Sequence, residues 1–205
     1  MIISGCMNTN TPVEQIYDVL ERVVASEEEF EKQQDPLVDL EKKEKEIYDK
    51  IISLGMKEFE EVSKLSDEAA KIVDQRQEHM LKEEESIKAS EKEFKSLEPL
   101  IEEIDDPKLK GLSQDLFHCM MERYGIYTEI FQNYSKAVQL DKELYAMFKE
   151  EDLQLTQLED QINKINEAYG NIINANKNFN EKTKQYNELK LSFYNESGLD
   201  VKVKD

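Results

Sequence analysis

A chain of 205 residues with 27 Lys+Arg against 46 Asp+Glu has a formal net charge of −19, and its 6 Gly and 4 Pro are too few turn formers to punctuate a sandwich, a barrel or a doubly wound sheet. Long helices remain, with thin cores, because only 39% of residues are hydrophobic. The acidic balance excludes nucleic acid as a partner, since phosphates would be repelled, and two His, two Cys and three Arg are poor material for a catalytic or cofactor site. Neither enzymatic activity nor a cofactor is expected.

Residues 1–11 precede the periodic region. Ile3-Ser4-Gly5-Cys6 has the form of a bacterial lipobox, an aliphatic and two small residues before a cysteine. Small residues let a signal peptidase approach the backbone, and Cys6 would then become the diacylglycerol-modified N-terminus. Met7 to Thr11 would be a polar tether. Two acyl chains anchor a protein stably, at roughly 0.8 kcal/mol per buried CH₂. A signal peptide carries a basic region and ~7–15 apolar residues before its cleavage site, whereas only Met1-Ile2-Ile3 stand before this box. The expectation is a lipoprotein whose leader is truncated here, the alternative being an accidental match. No other segment approaches the ~20 apolar residues that span a membrane.

From Val13 to Phe193 apolar residues recur at helical spacing, which a disordered chain has no reason to maintain. The first helix opens at Thr11-Pro12-Val13-Glu14, a capping box with proline at the first helical position. Its stripe runs Ile16, Leu20, Val23, Glu27, Phe30, Gln34, Leu37, Glu41, Glu44, Tyr48 and Ile51, alternating steps of four and three. Asp35-Pro36 predicts a kink or a fresh helix start. Gly55 is a reasonable stop, yet Phe59, Val62, Leu65, Ala69, Ile72, Arg76 and Met80 continue the stripe. A turn at Gly55 gives four helices near 12–53, 57–98, 107–149 and 152–195, and is favoured by their equal lengths; a continuous helix gives three. Pro99 and Asp106-Pro107 bracket a connector, with Asp106 as cap. The third long helix carries Leu109, Leu112, Leu116, Cys119, Arg123, Ile126, Ile130, Ala137, Leu140, Leu144 and Met147. A second ridge beside that stripe predicts two neighbours. The last helix ends at Gly198. The expected product is all-α, an elongated antiparallel up-and-down bundle, with 1–11 as lipobox and tether, 12–196 as the bundle and 197–205 as a tail.

Several residues are candidates for chemistry. Cys119, in the apolar stripe, reads as a small buried hydrophobe. Asp115, His118 and Glu122 share one helix face, but a di-iron bundle needs Glu-x-x-His on two helices. The other histidine, His79, lacks that motif, so no metal site is expected. Arg76 and Arg123 interrupt apolar stripes and are expected to snorkel to the surface, the alternative being buried, ion-paired arginines that fix helix register. The runs Glu27-Glu28-Glu29 and Glu83-Glu84-Glu85 read as solvated faces. Asn163, Asn171, Asn174 and Asn178 fall opposite Ile165, Ile172 and Phe179 on the last helix. Amides donate to and accept from sugar hydroxyls, so these four are weak ligand-binding candidates against the simpler reading of a polar face.

Taken together, Ser4-Gly5-Cys6, Ile16 to Glu21, Gln34 to Val38, Leu40 to Glu46, the distinctive run Ile51-Ile52-Ser53-Leu54-Gly55-Met56-Lys57-Glu58-Phe59, Leu140 to Tyr145 and Tyr186 to Lys190 resemble the YkyA-like cell-wall-binding lipoproteins of Gram-positive bacteria. The resemblance implies an all-α protein held by a lipid on the outer face of the cytoplasmic membrane and directed at a cell-wall component. It carries over no catalytic residues. With a net charge of −19, peptidoglycan is the expected wall partner, because anionic teichoic acids would be repelled unless Mg²⁺ or Ca²⁺ bridged the two. The rival expectation is a scaffold whose heptad faces pair with a partner helix or with a second copy.

Overall fold

The structure, a computed structural model, describes residues 11–55 and 58–199. Five helices are formed among these: α1 (Pro12–Leu54), α2 (Phe59–Phe94), the short α3 (Leu97–Glu102), α4 (Pro107–Met147) and α5 (Leu155–Ser197). The four long ones have 36 to 43 residues, or about 55–65 Å at 1.5 Å per residue. Each packs antiparallel to the next along the chain.

The ends are made as the sequence predicts. The Thr11 hydroxyl accepts from the Glu14 amide at 3.2 Å while the Glu14 carboxylate takes the Thr11 amide at 2.7 Å. Asp106 accepts from the Leu109 amide at 2.8 Å to start α4. Gly198, at φ 69°, closes α5 in the left-handed conformation. The chain turns at Gly55, where φ is 64° and ψ −180°, a region that only glycine enters easily. Four long helices therefore form rather than three.

Two expectations are corrected. Pro36 does not start a fresh helix; α1 runs through it. Gln33 and Leu37 are buried on either side, so tertiary packing offsets the hydrogen bond that proline removes. The second helix also stops earlier than expected, at Phe94. Leu97, Ile101 and Ile104, all buried, fold over the end of the bundle as α3 and the turn after it.

The interior is two apolar cores rather than one. One gathers the start of α1 (Ile16, Leu20, Val23), the end of α2 (Ile87, Phe94), α3, the first half of α4 and the C-terminal half of α5 (Phe179, Tyr186, Phe193). The other gathers the second half of α1, the first half of α2, the end of α4 and Ala168 and Ile172 of α5. Between them lies a polar waist of Gln33, Gln34, His79 and Glu83, in which His79 Nδ1 is 2.5 Å from the Gln33 amide oxygen.

Candidate functional site

Packing around the bundle is uneven. The backbones of α1 and α2, of α2 and α4, and of α4 and α5 approach closely, whereas α1 and α5 meet chiefly through side chains. The stripe of α1 explains this. Where it turns towards α5 it offers Glu27, Phe30, Gln34 and Glu41, long or polar groups that hold the backbones apart. The seam is thus a trough, with a cavity of about 620 Å³ over one stretch and about 360 Å³ over the next, Glu41 belonging to both.

Two arginines form its floor. Arg123 of α4 is 4% exposed. Its two terminal nitrogens donate to the two Glu27 oxygens of α1 at 2.8 and 2.9 Å, and Nε donates to Thr183 of α5 at 2.9 Å. The guanidinium lies 4.3 Å from the centre of the Phe179 ring. Glu27 also accepts from Ser90 of α2 at 2.8 Å, so one arginine ties four helices together.

Arg76 of α2, 1% exposed, does the same in the other core. It donates to Glu44 of α1, to Asp141 of α4 at 3.0 Å, to the Tyr134 hydroxyl at 2.9 Å and to the Tyr169 hydroxyl at 2.5 Å. Those phenols in turn donate to Glu41 and Asp141, both at 2.7 Å. Burial pushes the Glu44 and Asp141 carboxyls up and the guanidinium pulls them down, with burial the larger effect. The expectation that Arg76 and Arg123 reach the surface is therefore overturned: partners on other helices satisfy their donors inside.

The glutamate runs are corrected likewise. Glu28, Glu29 and Glu85 are exposed, but Glu27 is the partner of Arg123 and Glu83 is 2% exposed. Gln34 donates to one Glu83 oxygen, and the Tyr127 hydroxyl lies 3.4 Å from the other. With no cation beside it among the described residues, burial pushes the Glu83 carboxyl up to about 8.

Above this floor the lips of the seam are exposed, Val24, Glu31 and Val38 on α1 and Asn176, Asn180 and Asn187 on α5. Asn166 and Lys45 line the second stretch. Tyr186 also lines the seam, 6% exposed, and its hydroxyl is without a hydrogen-bond partner among the described residues. The asparagines singled out from sequence, Asn163, Asn171, Asn174 and Asn178, are all exposed, and none of them lines either cavity. The seam asparagines sit on the neighbouring face of the same helix. Their signal was the α1 stripe opposite, whose polar members mark an unfilled seam.

The remaining candidates are placed simply. Cys119 is buried, its thiol 3.7 Å from the Lys182 carbonyl oxygen and pushed up by burial, as a small hydrophobe would sit. Asp115 and His118 are exposed, and Glu122 pairs with Lys182 at 2.5 Å. Cys6 and the tether before Thr11 lie outside the described residues. No described helix is long and apolar enough to cross a membrane.

Comparison with known proteins agrees with this architecture. A crystal structure of a conserved protein of unknown function from Staphylococcus aureus superimposes with a TM-score of 0.78 at 18% identity, over 92% of this chain and 98% of that one. Similarity at that identity concerns the fold. The "Uncharacterized lipoprotein YkyA" of Bacillus subtilis (strain 168) is 34% identical over 202 residues, 98% of this chain and 90% of the relative. The profile of the YkyA family, described as "Putative cell-wall binding lipoprotein", matches residues 11–196. An all-α bundle, aligned with a lipoprotein over nearly its whole length and matched by that profile from the capping Thr11 to Glu196, belongs to the YkyA family.

Proposed function

We propose that the chain is a non-enzymatic, lipid-anchored protein of the outer face of a Gram-positive membrane, whose bundle binds the cell wall. Cys6 is the lipidated residue, the polar stretch after it the tether, and the rod of about 55–65 Å the part that reaches outward. The observation that carries this reading is the α1–α5 trough. It is long and open, its buried arginines Arg76 and Arg123 are engaged in interhelical ion pairs, and its exposed lips carry asparagine amides and valines beside Glu31 and Lys45. Such a surface suits a strand laid along it rather than a small substrate enclosed and converted.

Charge narrows the wall component. A net charge of −19 repels teichoic acids unless divalent cations bridge them, so peptidoglycan is the partner. Sedimentation of the protein with purified walls, with and without chelator, tests this. Binding to teichoic-acid-free peptidoglycan that resists chelation is the expected outcome. Tight, chelator-insensitive binding to purified teichoic acid, or none to any wall fraction, would overturn it.

A further inference from the structure

The lips of the seam are in register. Glu21 of α1 lies 3.7 Å from Lys190 of α5, and the Phe30 and Phe179 rings are 5.9 Å apart, which sets to within about two residues which parts of the two antiparallel helices stand level. Counting from Glu21 and Lys190 in opposite directions sets Val24 level with Asn187, Glu31 with Asn180, Val38 with Ile173 and Lys45 with Asn166. All eight are exposed. Successive levels are seven residues apart, about 10 Å along the rod, and at three of the four an α5 asparagine faces the α1 lip, with Ile173, which lines neither cavity, at the fourth. That step is roughly the length of two linked pyranose rings in an extended β-linked strand.

From this we infer that the α1–α5 seam is a groove for one linear glycan of β-1,4-linked, N-acetylated amino sugars, its disaccharide repeat in step with the paired lips. The inference rests on the wall-binding reading and gives it a site. Amides on the α5 lip donate to and accept from hydroxyl and acetamido groups, while Val24 and Val38 opposite meet the C–H faces of the rings. The Tyr186 hydroxyl, buried and unpartnered beside the Glu27–Arg123 pair, gains in a sugar oxygen the acceptor it lacks. Electrostatics agree. Arg123 is neutralised by Glu27 and Arg76 is outnumbered by Glu44, Asp141 and the half-exposed Glu41. The groove therefore accepts a neutral polymer and repels a polyanion. A docked helix would share the seven-residue step, but one with an apolar stripe would bury Glu31, Asn180 and Asn187 and strand their polar groups.

Titration of the full chain with the N-acetylglucosamine hexamer, by calorimetry or amide chemical shifts, tests the assignment. The hexamer spans three levels and is expected to bind at least tenfold tighter than the dimer. Asn180→Ala with Asn187→Ala loses at least tenfold in affinity, whereas Asn171→Ala with Asn174→Ala, on the outer face, changes nothing. Tyr186→Phe leaves thermal stability at or above the parent, since no bond is lost, yet weakens the hexamer several-fold. No hexamer binding, or binding indifferent to Asn180 and Asn187, overturns the inference. So does a dimer of the protein that Val38→Asp disperses, because a second copy would then fill the seam. Peptidoglycan sedimentation in parallel separates the two readings: wall binding that survives without hexamer binding sinks the groove alone, and hexamer binding without wall binding sinks the wall reading alone.

Discussion

Glu83 is buried with two hydrogen-bond donors and, among the described residues, no cation, and its carboxyl sits near 8 instead of 4.5. The folded chain therefore holds a proton there that the unfolded chain releases. Glu83's contribution to stability is complete below about pH 4.5 and is lost as pH rises to about 8, at about 1.4 kcal/mol for each pH unit in that window. Glu83→Gln keeps the uncharged form. Denaturant unfolding between pH 5 and 8 should show a flatter pH dependence than the parent and greater stability at pH 8. Arg76→Met acts in the opposite sense. It leaves Glu44 and Asp141 buried without their cation, a loss of about 3–5 kcal/mol at pH 7. The loss should shrink on acidification as those carboxyls take up protons. Equal losses at pH 5 and pH 7 would mean that the guanidinium is there for packing alone. Burial of these groups was half legible. Glu27 and Glu44 stand in the first stripe, and Glu83 falls three residues after Met80, so the spacing pointed inward while composition pointed to water. Spacing was the better guide, because the partners that make burial tolerable come from other helices and leave no local trace.

At the scale of elements, the capping box, the Asp106 cap and the Gly198 stop could be read directly, because each is settled within four residues of chain. Gly55 stayed open between a turn and a continuous helix, because the apolar stripe runs on past it. At φ 64° and ψ −180° a side chain is strained even though a Cβ there meets no atom within 4 Å. Gly55→Ala should cost about 1–3 kcal/mol, measured as a lowered urea midpoint with an unchanged slope. The same substitution at Gly125, inside α4 and likewise without a steric clash, should stabilise slightly. α3 was less legible. Leu97, Ile101 and Ile104 have helical spacing, but the prolines around them read first as a connector. At Pro36 the fresh-start alternative failed in the same way, since local chemistry allows a break there and packing on both sides carries the helix through.

For the molecule as a whole, the up-and-down bundle follows from four amphipathic helices and short connections. The unequal closeness of its neighbours does not. That α1 stands off from α5 depends on side chains of both helices and on two arginines belonging to neither. The separation of the interior into two cores has a further consequence. Each core carries its own arginine cross-tie, and the waist between them is held by amides, an imidazole and a carboxyl, with the partly buried Phe131 packing against both cores. Cooperativity should thin at that level, so the rod is expected to melt as two coupled halves. Native-state amide exchange should sort the four long helices by half rather than by helix: the first part of α1 exchanging with the last parts of α2 and α5, and its second part with the opposite set. A single protection class along every helix would show one unit. Under the anchoring and wall binding proposed above, a rod pulled between its two attachments would yield first at its middle, one half letting go while the other kept its grip.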